Sequence, residues 1–307
     1  MIDSNPKIVF IHQGISWYLP YALHQAKSVS PASEVVLLGQ ELGDNTITSI
    51  SFQGLQGSKA EVAFNRAYVH LSTNPESFER ICFLRWYYLL QYMRTNNVDS
   101  VFCFDSDVLL YSSAFEIMDK YDLKNADCGC LLFGTGPEFY AASAGTSFWT
   151  RYALEQFCDF IVRCYSQVDL LARLKSLYSV FGNEGRVGGI CDMTVLHMFL
   201  SERHVSSCNL LVDSDGNVFD ENINQGLDCG AGKFDLACGK KRVEFVNSKP
   251  MVFRNGTPVR AHLLHFQGQA KGHIPLFYRG ENFRGKPLSD LKGFVYRLRG
   301  DICGKRT

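Results

Sequence analysis

The sequence of 307 residues carries no net charge, because 31 Lys and Arg residues balance 31 Asp and Glu. Without a clustered basic excess it lacks the field that holds a nucleic-acid backbone, so nucleic acid is not an expected partner. Nor is there a run of 18 apolar residues: the richest stretch, Phe83 to Met93, is interrupted by Arg85 and Gln91, which is too little to span a bilayer as a helix. The opening MIDSNPKIVF lacks the basic n-region and full h-region of a secretory signal, so a cytoplasmic protein is expected. No G-x-G-x-x-G follows the first predicted strand, which removes the dinucleotide fingerprint. The paired C-x-x-C knuckles of a zinc site are missing around Cys208, Cys229 and Cys238. The eleven cysteines are odd in number and spread through apolar runs, as at Cys82, Cys103, Cys130 and Cys191, which fits buried reduced thiols better than a disulfide framework.

What is present is an ordinary globular composition, 46% hydrophobic and 20% charged. Lys7 to His12 reads as a short strand closed by Gln13-Gly14, Trp17 to Val29 as a helix, and Glu34 to Leu38 as a second strand closed by Gly39. This β-α-β rhythm predicts a parallel sheet whose ligand loops lie at the carboxyl ends of its strands, with Gln13 and Gly14 in the first such loop. A helix is predicted from Pro75 to Met93 with Asn74 as its cap. At 100° per residue, Phe78, Ile81, Cys82, Leu89, Tyr92 and Met93 share a face, and Arg85 falls in its middle. A guanidinium there has to be paired, either with a core carboxylate or with an anionic or ribose-bearing ligand.

Next comes VFCFDSDVLLY, residues 101 to 111, an apolar strand broken by Asp105-Ser106-Asp107. Side chains two apart on an extended segment point the same way, so two carboxylates converge at the end of a buried strand. A shared proton or a bound cation relieves their repulsion, and a divalent cation is the simpler answer. The triplet alone is weak evidence, since the chain holds a second one, Asp213-Ser214-Asp215. There Gly216 and Asn217 follow between short apolar runs, which predicts a hairpin turn.

Further along, Tyr140 to Trp149 is a small-residue strand or loop that permits close approach at Gly145. Helices are predicted over Tyr152 to Tyr165 and Gln167 to Phe181, and a third is predicted after GRVGGICD, with Asp192 as its cap. His265 ends an apolar strand and opens an H-x-x-G-x-x-K spacing with Gly268 and Lys271. A neutral imidazole can complete an oxygen-rich metal shell, a glycine admits a phosphate close to the backbone, and a lysine adds a compact positive charge.

Taken in this order, the motifs resemble the metal-dependent glycosyltransferases of the GT-A fold, and most closely the family 8 pattern: an arginine-bearing helix (Arg85), a strand ending in D-x-D (Asp105, Asp107), a small Ala144-Gly145 segment, an aspartate-led helix (Asp192), and H-x-x-G-x-x-K (His265, Gly268, Lys271). The resemblance implies an α/β fold of GT-A type, with a Rossmann-like nucleotide-binding half and a central mixed, mostly parallel sheet flanked by helices. It implies one domain over residues 1–307, divided into a nucleotide-binding half (1–111), an acceptor and catalytic half (112–275) and a basic extension (276–307). The implied activity is sugar transfer from a nucleotide sugar, a UDP-sugar by preference, to a glycan or other hydroxyl acceptor with retention of configuration. Asp105, Asp107 and His265 would hold Mn²⁺, with Mg²⁺ the second choice. Gln13, Gly14, Arg85, Asp105, Ser106, Gly268 and Lys271 would hold the donor, and Asp192 and Lys271 would act in catalysis. Arg85 would orient Asp107 or the donor.

Two positions depart from the family. Met193 stands where it usually has Gln, and Gly272-His273 stand where it usually has Pro-Trp. Met193 keeps a second class in view, a non-catalytic nucleotide-sugar or glycan-binding scaffold. A nucleotide-sugar pyrophosphorylase would open with a glycine-rich basic loop after the first strand, and IHQGISWYLP has neither feature. The basic residues Lys292, Arg297, Arg299, Lys305 and Arg306 give a weak peripheral contact with an anionic inner membrane as a further expectation.

Overall fold

The computed structural model describes residues 6–133, 142–202, 204–228 and 232–303. Tyr140, Cys229, Lys305 and Arg306 therefore lie outside the described residues. The first 110 residues fold as β1 (Lys7–His12), α1 (Leu19–Val29), β2 (Val35–Gly39), β3 (Thr48–Ser51), α2 (Lys59–Ala67), α3 (Glu76–Thr95), β4 (Ser100–Phe104) and β5 (Val108–Leu110). There follow α4 (Ala114–Lys120), β6 (Cys128–Leu132), β7 (Ala142–Thr150), α5 (Arg151–Ser166), α6 (Val168–Asn183), α7 (Asp192–Ser201), β8 (Ser207–Asn209) and β9 (Val218–Phe219).

The seven-stranded main sheet has the order β3-β2-β1-β4-β7-β6-β8. β3, β2, β1 and β4 run parallel, β7 is antiparallel to both β4 and β6, and β8 runs parallel to β6. This is the mixed, mostly parallel sheet expected. Its inner strands are buried on both faces, so alternate residues feed two cores. Val9, Val36, Leu38 and Val101 pack with residues of α2, α3, α5 and α7, whereas Ile8, Phe10, Leu37, Phe102 and Phe104 pack with α1 and α4. The free thiols of Cys103, Cys128, Cys130, Cys158 and Cys164 are buried.

A second sheet starts from β5. It pairs antiparallel with the strand Thr257–His265, which continues through Lys249–Arg254 to Val243–Val246. His265 lies opposite Val108, so the last strand ends beside the D-x-D turn. A 3₁₀ turn, Gly268–His273, then leads into α8 (Ile274–Phe277) and α9 (Lys286–Cys303). α9 packs on that turn, and Arg297 donates to the Gly272 carbonyl. No helix among the described residues is long and apolar enough to cross a membrane.

Two helix starts differ from expectation. Pro75, not Asn74, occupies the cap position of α3, and its carbonyl accepts from the Phe78 and Glu79 amides. The Asn74 side chain instead donates to Glu79. In α7 the cap position is Cys191, and Asp192 is the first helical residue, its carboxylate being drawn off by side chains described below. The expected core face of α3 is also shifted. Phe83, Trp86, Tyr87 and Leu90 enter the core, while Phe78, Cys82 and Arg85, a row spaced four and three apart, line an open cleft.

Candidate active site

The cleft has a volume of about 590 Å³ and lies at the carboxyl end of β4. At its base the backbone leaves β4, turns at Ser106-Asp107 and resumes as β5. The Asp105 amide donates to the Gly145 carbonyl (2.8 Å) and the Phe266 amide donates to the Asp107 carbonyl (2.9 Å), so the triplet is tied to β7 on one side and to the last strand on the other. Ligand atoms of Asp105, Asp107 and His265 lie within 4.8 Å of one another, the only such group of three found among the described residues.

The two carboxylates have different cationic partners, Arg85 for Asp105 and Lys271 for Asp107. The Arg85 Nη1 donates to Asp105 Oδ1 (2.9 Å), while its Nε and Nη2 donate to Asp192 Oδ2 at 3.0 and 2.6 Å. Asp192 Oδ2 also accepts from Trp86 Nε1 (2.9 Å). The arginine thus bridges two carboxylates; burial would discharge it, but Asp192 and then Asp105 outweigh that and hold it firmly charged. It orients Asp105, where the sequence pointed to Asp107 or the donor.

Asp107 Oδ1 lies 3.3 Å from His265 Nε2 and its Oδ2 lies 2.7 Å from Lys271 Nζ. Burial alone would raise the Asp107 carboxyl, but the hydrogen bond and charge of His265, then Lys271, hold it well below the usual carboxylate range. His265 moves the other way: burial disfavours its charge, but Asp107, then Asp105 and Asp220, raise its pKa above the ordinary value. Gly268, at φ +54°, turns the chain so that residues six apart meet the same carboxylate.

The donor set suits a divalent cation. It offers two carboxylates and one imidazole, all groups that ligate such ions. Gly145 supplies an independent test, because a Cβ there would sit 2.5 Å from Asp105 Oδ2 and 3.4 Å from His265 Cε1. The space above the carboxylate is kept clear by having no side chain at that position.

Solved structures with similar folds include the galactosyltransferase LgtC in complex with donor and acceptor sugar analogs (16% identity, TM-score 0.45, covering 87% of this chain and 88% of that one). An active-site mutant of LgtC (16%, 0.46, 94% and 95%) and mouse xyloside xylosyltransferase 1 in its apo form (12%, 0.40, 67% and 85%) are similar too. These neighbours are glycosyltransferases. No family model and no curated protein matches the sequence.

Of the residues singled out from sequence, Arg85, Asp105, Asp107, Asp192, His265, Gly268 and Lys271 all line the cleft. Ser106 is buried beside it, its Oγ 2.8 Å from His12 Nδ1. Gln13 and Gly14 are exposed in the loop after β1 and do not line it. His12, one residue earlier, is the contact of that loop with the triplet; burial first, against the pull of Asp107 and Asp105, lowers its pKa.

Sequence reasoning passed over three features. Trp86 joins Arg85 on Asp192, which its place in the same turn of α3 could have suggested. Glu79 lines the cleft six residues before Arg85 and looks in sequence like an ordinary acidic residue of a first helical turn. Behind His265 lies a fully buried ion pair, Lys241 Nζ to Asp220 Oδ1 at 2.5 Å, whose other carboxylate oxygen accepts from the His265 amide (2.9 Å). Nothing in the spacing of Asp220 and Lys241 announces it.

Proposed function

We propose that the chain is a metal-dependent glycosyltransferase that moves a sugar from a nucleotide sugar, a UDP-sugar by preference, to a hydroxyl acceptor such as a glycan. The observation that carries the reading is one cleft in which two carboxylates and an imidazole converge beside a lysine and a carboxylate-bridging arginine. Asp105, Asp107 and His265 would hold the cation, which when bound supplies positive charge to the diphosphate leaving group.

The chain's own groups then divide the work. Lys271, held at Asp107, is placed to donate to an oxygen of the departing diphosphate, where a positive charge helps the transition state more than the ground state. Arg85 keeps Asp105 and Asp192 in fixed relative positions through three charge-assisted bonds. Asp192 borders the cleft from the start of α7, its Oδ2 held by Arg85 and Trp86 and its Oδ1 accepting from the Met193 amide, so that the remaining lone pair of Oδ1 would serve the transferred sugar or the acceptor hydroxyl. Retention of configuration is carried by the family resemblance.

Screening nucleotide sugars with Mn²⁺ for thermal stabilisation and for donor hydrolysis tests the reading. Hydrolysis that stops with chelator supports it, and stabilisation by no nucleotide sugar sinks it. Met193, which lines the cleft where the related pattern has Gln, favours a second reading. In that case metal-dependent donor binding persists with no hydrolysis and no transfer.

A further inference from the structure

The helix α9 turns its polar side to the protein and its apolar side away from it. On the inner side Asp290 accepts from the Tyr21 hydroxyl, Gly293 sits where a Cβ would meet Pro275 and Trp17 at 2.8 and 2.9 Å, and Arg297 donates to the Gly272 carbonyl. The outer side carries the large apolar residues. Leu288 is 59% exposed, Leu291 58% and Val295 39%, and at 100° per residue the three fall within an arc of about 60°. Phe294, 50% exposed, flanks that row on one side and the exposed Lys292 on the other. Half-buried Trp17 shares a surface hollow of about 340 Å³ with Leu291, Lys292, Val295 and Tyr296. An amphipathic helix that points its apolar stripe outward over two turns marks a surface meant to be covered.

Charge indicates what covers it. From residue 276 onward the sequence holds eight Lys and Arg against three Asp and Glu, a net +5, although the whole chain is neutral. Of the three acids, Asp290 is on the inner side and pairs with Lys286, Glu281 is exposed just before the helix, and Asp301 comes six residues after Val295. A second copy of the chain would bring this positive segment against itself, whereas an anionic lipid surface complements it.

We propose that α9 is a membrane-docking helix, which lays Leu288, Leu291 and Val295 into the headgroup layer of an anionic bilayer and sets Lys292 among the lipid phosphates. The contact is interfacial, with the helix lying in the plane of the surface. It adds an apolar anchor to the electrostatic attraction of the basic residues, and two such signals hold more firmly than one. The proposal does not depend on the transferase reading, because its test reads binding alone.

The test is flotation of the full chain with lipid vesicles. Vesicles of phosphatidylcholine with about 30 mol% phosphatidylglycerol should bind the chain at least about tenfold more tightly than phosphatidylcholine alone. Leu288→Ser combined with Leu291→Ser should weaken that binding about tenfold or more, and Lys292→Gln about fivefold, with the melting temperature kept because these side chains are exposed. Val295→Ser, a smaller change, reads the same contact if the double variant melts early. Absence of binding to the anionic vesicles overturns the proposal, and so does binding that the leucine and valine changes leave intact, which would reduce the contact to charge alone. A dimer in sedimentation velocity that the leucine changes dissociate, without vesicle binding, would assign the face to a second copy and overturn it equally.

Discussion

The chain contains two Asp-Ser-Asp triplets, and each finds a histidine of the same strand and a lysine. Asp107 meets His265 and Lys271. Asp213 meets His262 (3.0 Å) and lies 3.6 Å from Lys120, which also pairs with Asp215. Residue types alone do not separate them. Hydrogen-bond saturation does. Asp213 is spent on its own turn, accepting from the Asp215 and Asn217 amides, from Asn217 Nδ2 and from His262, inside a hairpin closed by the Val212–Val218 bridge. His262 is equally engaged, with Ser112 Oγ on its other nitrogen. Asp105 and Asp107 instead face a cleft whose roof Gly145 leaves open, and their partners are cations or metal-type ligands rather than amides of their own turn. A carboxylate becomes a ligand when the fold gives it direction without using up its lone pairs.

The largest effect expected from breaking this contrast is at Asp105 and Asp107. Changing either to Asn should cut metal-dependent donor binding by at least about 100-fold with the melting temperature nearly kept, since even outer-shell changes cost 10–100-fold. Asp213→Asn should do the reverse, keeping metal dependence while losing about 1–3 kcal/mol of stability, read from denaturant titration. Wild-type metal binding in Asp107→Asn would remove the distinction.

Next in size is the roof. Gly145→Ala puts a methyl group on Asp105 Oδ2, so the Mn²⁺ concentration for half-maximal donor hydrolysis should rise about 10-fold or more, with circular dichroism unchanged. Smaller again is the difference between the histidines. His265→Ala should raise the Mn²⁺ requirement because it removes one of the three groups proposed to hold the ion, whereas His262→Ala should lower only the melting temperature.

The smallest effect is the pH dependence of that last pair. Burial lowers the His262 pKa despite the opposing Asp213, so the unfolded chain takes up a proton before the folded one does. Stability contributed by neutral His262 is full above pH 6.5, the ordinary value, and is lost as pH falls below it. The stability gap between wild type and His262→Gln should therefore narrow from pH 7.5 to about pH 5.5. A gap that widens on acidification would show the imidazole to be charged in the native state.

Much of this was legible in the sequence because local patterns carried it. The β-α-β rhythm located the parallel strands, and the i, i+2 geometry of Asp105 and Asp107 required convergence. Gly216 and Asn217 marked the other triplet as a turn. What escaped was set by tertiary packing. The α3 row of Phe78, Cys82 and Arg85 has a core-like period, and only the position of α7 reveals that it borders a cleft. Asp192 has a capping residue's chemistry, but Arg85 and Trp86 compete for its oxygens more strongly than a helix amide does. Asp220 and Lys241 meet through a long connection that no periodicity encodes.

The pairing of Val108 with His265 has a consequence for biosynthesis. Asp107 is made 158 residues before His265, and the imidazole and Lys271 arrive only with the last strand and the 3₁₀ turn that α9 covers. A nascent chain paused before residue 265 could complete β1 to β8 and still be unable to assemble the three-ligand group. The group is thus assembled late, when the strand Thr257–His265 pairs with β5, and a non-local pairing of this kind is a slow event in folding.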